Sequence, residues 1–151
     1  EQLIAGYKDE KLTSLKGALA ESVAQLLSRM DFKDVSAVVT PARNTKNYRK
    51  RGFDPAQSIA KSALKLAQVK VPVVSLSNVR ARSDQRGLGR NERAKNVSGS
   101  MRLKVSKLRK VVLFDDVLTT GATISELARA CRDAGVEVVF CCVLAERFTQ
   151  F

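Results

Sequence analysis

The chain has no histidine, only three cysteines, and aromatic side chains at just 5% of its 151 residues. Without imidazole, acid–base chemistry near neutral pH falls to carboxylates, lysine, tyrosine, cysteine or groups on a ligand. Cys131, Cys141 and Cys142 are odd in number and form no C-x-x-C pair. A zinc site takes three or four convergent nitrogen or sulfur ligands, so no metal site of soft ligands is expected. Cys141 and Cys142 lie in an apolar run and read as small core residues of a reduced, cytoplasmic protein. No apolar run approaches the roughly 18–20 residues that span a bilayer, so no membrane span is expected. The chain opens at Glu1 without a charged-then-apolar leader, so no signal peptide is visible. The missing initiator Met suggests residues upstream that were removed or not included.

Acidic residues are also scarce, 15 against 27 lysines and arginines, for a net charge of +12. The excess is local. Residues 43–51 carry five positive charges and no negative one, and residues 79–110 carry eleven against Asp84 and Glu92. The remainder of the chain is slightly acidic. Concentrated basicity points to a polyanionic partner, with solubility alone as the alternative.

What is present reads as one α/β domain over residues 1–151, with no internal repeat. Leu12, Leu15, Leu19, Val23, Leu26 and Met30 recur at helical spacing and predict a helix over 12–30. Val35–Thr40, closed by Pro41, predicts a buried strand. Asp54-Pro55-Ala56-Gln57 predicts a helix start, with Asp54 as cap, Pro55 in the first turn and Gln57 reaching back to complete a capping box. Ala56, Ile59, Ala60, Ala63, Leu64 and Ala67 form its apolar face, and Val71–Leu76 is the next strand. Residues 79–107 are rich in Arg, Lys, Asn, Ser and Gly, with isolated Leu88 and Met101, and predict a long mobile arm. Lys110–Phe114 then predicts a strand, and Thr123–Ala134 a helix ending at Gly135, with Ile124, Leu127, Ala128 and Cys131 inward. The apolar run Val136–Ala145 predicts a strand buried on both faces. Strand–helix alternation of this kind builds a mostly parallel sheet flanked by helices.

The stretch that carries chemistry is Val111–Thr123, VVLFDDVLTTGAT. An apolar strand delivers Asp115 and Asp116 to its carboxyl end, where open α/β sheets bind ligands. Leu118-Thr119-Thr120-Gly121-Ala122-Thr123 follows as a small, hydroxyl-rich turn leading into a helix. Backbone N–H groups of such a turn and the positive helix end cradle a phosphate. Thr119, Thr120 and Thr123 add hydroxyls, and Gly121 lets the backbone approach an anion. Two carboxylates beside that cradle suit sugar hydroxyls, reached directly or through a divalent ion. A lone Asp-Asp pair would read as a solvated loop, but the thirteen-residue pattern is far more specific.

This pattern resembles the 5-phosphoribosyl 1-pyrophosphate (PRPP) motif of type I phosphoribosyltransferases. The resemblance implies that Asp115 and Asp116 hold the ribose hydroxyls as the catalytic pair, and that Leu118–Thr123 holds the 5-phosphate. It also implies Mg²⁺, bound mainly by pyrophosphate and ribose oxygens. Within that superfamily the chain resembles the ComF family, which includes competence proteins. Thr40-Pro41-Ala42-Arg43 stands where the superfamily places its pyrophosphate loop. Arg49-Lys50-Arg51-Gly52-Phe53 resembles R-x-R-G-F-N-Q, with Asp54-Pro55 replacing Asn-Gln. Gln85, Gly87, Leu88, Arg93, Asn96 and Gly99 match the family's arm. The zinc ribbon common upstream in the family is not in this chain.

Two functions follow as expectations. The first is a phosphoribosyltransferase using PRPP and Mg²⁺, in which Gln85, Arg86, Arg90, Arg93, Lys95 and Asn96 belong to a lid over the pyrophosphate. The acceptor is opaque, because Gln2–Lys11 shows no recognisable base-binding hood. The second is a single-stranded-DNA-handling protein that keeps the PRPP site as a switch, with DNA-uptake proteins as partners. There Arg43, Lys46, Arg49, Lys50 and Arg51 meet phosphates, and Tyr48 and Phe53 stack on bases. A solvated basic loop and a solvated charged face remain the plain readings of the arm and of residues 43–51.

Overall fold

The computed structural model describes Tyr7 and residues 15–79, 96–104 and 107–146. The elements described are, in order, α1 (Leu15–Leu27), β1 (Ala37–Thr40), α2 (Thr45–Arg51), α3 (Pro55–Leu66), β2 (Val73–Ser75), β3 (Ser77–Asn78), β4 (Met101–Arg102), β5 (Lys110–Leu118), α4 (Ala122–Asp133) and β6 (Glu137–Glu146). Strands β2-β1-β5-β6 form a parallel sheet, and β3 and β4 pair antiparallel beside it. The expected α/β architecture is therefore present.

Strand alternation divides the core in two. Val112 and Phe114 of β5 face a layer of α1 and α3, where Leu19, Val23, Ile59 and Ala63 are buried. Val111 and Leu113 face the other way, onto Leu127, Ala130 and Cys131 of α4. From β1 the chain passes through α3 to β2 on one side. From β5 it passes through α4 to β6 on the other. The direction of winding thus reverses between β1 and β5, and such a reversal opens a crevice at the strands' carboxyl ends.

Several expectations need correction. The buried stripe of α1 is Leu19, Ala20, Val23, Ala24 and Leu27, so Leu26 turns outward at 39% exposure. Asp54 caps α3 through the Gln57 amide at 3.0 Å. The Gln57 side chain does not close a capping box; it donates to Ser75 Oγ at 3.2 Å. Strand β5 continues past Phe114 to Leu118 because β6 pairs with it as far as Glu146. Strand β6 is the edge, not a strand buried on both faces: Val139 is 45% exposed and Cys141 is exposed, while Cys142 is buried. The inward face of α4 holds the expected Leu127 and Cys131 buried and Ile124 and Ala128 half-buried against the same core, with Glu126 and Ala130 buried beside them. Part of the predicted arm is ordered, since Val97, Met101 and Leu103 are buried in the α4-side core.

Among the described residues no helix is long and apolar enough to cross a membrane.

Candidate functional site

Adjacent parallel strands set the site. Strands β1 and β5 pair in register from Ala37 with Val111 to Val39 with Leu113. The loop after Thr40 and the turn after Leu118 therefore follow the carboxyl ends of neighbouring strands, with β5 running four residues further than β1. Thr40 is fully buried and its hydroxyl shares a 2.8 Å hydrogen bond with Ser75 Oγ. Its carbonyl accepts from Leu76 at 3.1 Å, which fixes the last residue before the loop.

Beyond Thr40 the loop is held by the β3–β4 hairpin. The buried Ala42 amide donates to Met101 Sδ at 3.4 Å, and the Arg43 carbonyl accepts from Asn78 Nδ2 at 2.7 Å. Asn44 then caps α2 through the Asn47 amide at 3.1 Å. Helix α2 buries none of its residues and ends in Arg49, Lys50 and Arg51. The Arg43 guanidinium lies over the Tyr48 ring, 3.9 Å from its centroid. Phe53 packs on Tyr7, with ring centroids 5.1 Å apart, and against the core. Both aromatics thus make ring contacts within the protein.

Asp115 and Asp116 lie within β5, each 8% exposed, and the Asp116 amide donates to Asp115 Oδ1 at 2.9 Å. The pleat sends neighbouring side chains to opposite faces, so Asp115 continues the α4 side and Asp116 the α1–α3 side. The turn that follows is open: Thr119 is exposed, and Leu118, Thr120, Gly121, Ala122 and Thr123 are half-buried. Gly121 precedes α4 with φ +76°, the left-handed region that side chains resist. A Cβ there would meet nothing within 4 Å, so the backbone angle demands glycine and the space before the helix is free. No side chain caps α4 through Gly121, and the Ala122 amide makes only a 3.4 Å contact to Thr120 Oγ1. An under-capped helix N-terminus facing open space suits an anion.

Sequence reasoning passed over three residues, Tyr7 and, on α4, Glu126 and Arg129. Tyr7 is buried, and burial pushes its hydroxyl pKa up; a Ser58 hydrogen bond opposes this, while the Asp116 and Asp54 charges add to it. On α4, Glu126 is 3% exposed and accepts from Gly99 (3.0 Å), Met101 (2.8 Å) and Arg129 Nε (2.8 Å). Burial works to raise its pKa. The hydrogen bonds from Arg129, Met101 and Gly99, with the Arg129 charge, outweigh that and hold it at about 2. Arg129 also reaches the Met101 carbonyl at 2.8 Å and pairs with Asp133. A period-two pattern, with Met101 and Leu103 inward and Arg102 and Lys104 outward, was the available signal for this docked segment.

Of the expected arm residues, Gln85, Arg86, Arg90, Arg93 and Lys95 lie outside the described residues. Asn96 stands next to the buried Val97.

The chain is 31% identical over 94 residues to Competence protein F of Haemophilus influenzae, covering 60% of this chain and 41% of that protein. Its fold is similar to a phosphoribosyltransferase from Corynebacterium diphtheriae, with TM-score 0.52 and 19% identity over 89% of this chain and 64% of that one. It is also similar to a Neisseria gonorrhoeae protein with bound ppGpp, with TM-score 0.54 and 12% identity over 90% and 69% of the two chains. The chain thus spans about two fifths of the length of the Haemophilus relative. A phosphoribosyl transferase domain matches residues 17–150, and the chain belongs to that family.

Proposed function

We propose that the chain binds PRPP together with Mg²⁺ and transfers its phosphoribosyl group to an acceptor. One observation supports this reading: Thr40–Arg43 and Leu118–Thr123 follow the carboxyl ends of the neighbouring parallel strands β1 and β5, where the winding of the sheet reverses. A ligand with phosphates at both ends of a ribose fits two neighbouring anion loops with carboxylates between them. The amides and hydroxyls of Leu118–Thr123 take the 5-phosphate at the start of α4. Asp115 and Asp116 take the ribose hydroxyls. Thr40–Arg43 takes the pyrophosphate, with the Arg43 guanidinium as its cation.

The donor set also fits the ion. Among the described residues no three His, Cys, Asp or Glu side chains converge as a metal cage. Two carboxylates beside a polyphosphate loop suit a small hard cation that arrives on ligand oxygens and keeps part of its water. When bound, Mg²⁺ neutralises charge on the departing pyrophosphate. The residues themselves orient the sugar and hold both phosphates, which fixes the C1–oxygen bond in line for cleavage. Asp116, beside Tyr7, is placed on the α1–α3 side to favour positive charge developing on the ribose.

Titration calorimetry with PRPP tests the reading. Binding that strengthens with Mg²⁺ supports it, and no heat with or without the ion rejects it. Incubation with a panel of nucleobases, followed by pyrophosphate release, then identifies the acceptor.

The exposed, uniformly basic α2 favours a second reading. There the same mouth handles single-stranded nucleic acid and PRPP controls access to it. Similarity to Competence protein F points the same way, towards DNA uptake. The absence of buried residues on α2 supports it, because such a helix contributes charge rather than core.

A further inference from the structure

We infer that the β3–β4 hairpin is a positioning bridge that sets the pyrophosphate loop against the 5-phosphate turn, with Glu126 as its anchor; this rests on the PRPP reading above. The bridge can be traced bond by bond. Helix α4 begins at the 5-phosphate turn, and about one helical turn in, Glu126 grips the hairpin through the Gly99 and Met101 amides. Arg129 holds the Met101 carbonyl from the other side at 2.8 Å. Met101 is thereby fixed at both main-chain groups, and it pairs with Asn78 across the hairpin. From the hairpin, two contacts reach the loop: Met101 Sδ accepts from Ala42, and Asn78 donates to the Arg43 carbonyl.

The sheet alone does not fix this loop. Pairing between β1 and β5 ends at Val39, and β1 itself ends at Thr40, whose carbonyl accepts from Leu76. Pro41–Arg43 lie beyond it. Their distance from the turn at Leu118–Thr123 is set by a path that starts on the helix behind that turn. A rigid span between two anion loops selects ligands by the separation of their phosphates, the usual return on preorganisation. The carboxylate at its root is suited to the task, since one ionised group satisfies several buried donors at once. Glu126, Arg129, Met101 and Asn78 are therefore positioning residues, none of them placed to touch the ligand's reacting atoms.

The idea separates two ligands. PRPP uses both loops, whereas ribose 5-phosphate uses only the carboxylates and the α4 turn. Asn78 is exposed and Met101→Leu keeps its bulk, so both variants keep the core filled. In calorimetry with Mg²⁺, and with ribose 5-phosphate measured by displacement of PRPP, wild type binds both ligands. Asn78→Ala combined with Met101→Leu then weakens PRPP about tenfold, the scale of lost hydrogen bonds to a positioned loop, and leaves ribose 5-phosphate within about twofold. Glu126→Gln, if folded by circular dichroism, shows the same split. Equal loss for both ligands, no loss in the folded Asn78/Met101 variant, or failure of ribose 5-phosphate to displace PRPP from wild type overturns the bridge alone. Wild type that binds no PRPP takes down the proposed function with it.

Discussion

Glu126 Oε1 accepts the Met101 amide at 2.8 Å across 25 residues of sequence, and this bond ties the far end of the arm to the helix behind the phosphate turn. The same carboxylate should report on acid stability. Its folded pKa, about 2, lies below the ordinary 4.5, so it contributes stability fully present above pH 4.5 and lost as pH falls towards 2. The linked free energy is on the order of 3 kcal/mol, which Glu126→Gln would lack. Denaturant midpoints at pH 7, 4 and 3 check this. The variant is less stable than wild type at pH 7, and the gap narrows in acid. A gap that stays constant with pH would show that the carboxylate is not held ionised.

Asp115 and Asp116 are each nearly buried at the carboxyl end of a central strand, where the proposed ribose site lies. Replacing both with Asn keeps their size and should weaken PRPP by about 2 kcal/mol or more in a protein that still folds. Thr123→Ala should cost about 1–2 kcal/mol of PRPP affinity, as for one lost bond to a charged group. Thermal melts and calorimetry on the same samples decide it. Unchanged affinity in the double variant would remove these carboxylates from the site.

Much of this was legible because it is local. Asp54 declares the start of α3, and the order of residues in Val111–Thr123 declares strand, acids, turn and helix. Position in the sheet is not local. The apolar run in β6 looks the same at a centre or an edge, and only the strand order exposes Val139 and Cys141. Glu126 and Arg129 were hidden for a related reason: an acid and a base three apart on a helix usually make a solvated pair. Docking of Gly99–Met101 buries this one. The contact of Arg43 with the Tyr48 ring is hidden in the same way, because nothing in the sequence says that the two fold together.

The edge position of β6 makes a prediction for thiol chemistry. Cys141 is exposed, whereas Cys131 and Cys142 are buried and burial raises both to about 11. Burial also raises Cys141, so its thiolate fraction at neutral pH is small and its reaction slow. A thiol-counting reagent at pH 8 should therefore titrate one group in the native protein and three in denaturant. Mass spectrometry would place the native label on Cys141. Labelling of Cys142 before unfolding would contradict the edge assignment.

Nucleic-acid binding through α2 is the last test, and the packing of Tyr48 sharpens it. With Arg43 over Tyr48 and Phe53 against Tyr7, this face offers cations and no free aromatic platform among its described residues. Binding to single-stranded DNA should then be weak, almost indifferent to sequence, and carried by phosphate contacts. Each phosphate neutralised contributes a log–log salt slope near −0.7, so about four to six contacts give a slope of roughly −3 to −4. Arg49→Ala with Lys50→Ala, both on the exposed side of α2, should shrink the slope by about one to one and a half. Tyr48→Phe keeps the ring under Arg43 and should leave affinity unchanged. PRPP is a polyanion aimed at the neighbouring loop, so it should displace the oligonucleotide if α2 and that loop share one mouth. Fluorescence anisotropy from 50 to 300 mM salt measures all of this. Salt-independent binding, or none at low salt, would leave α2 a solvated face and phosphoribosyl transfer the sole reading of the site.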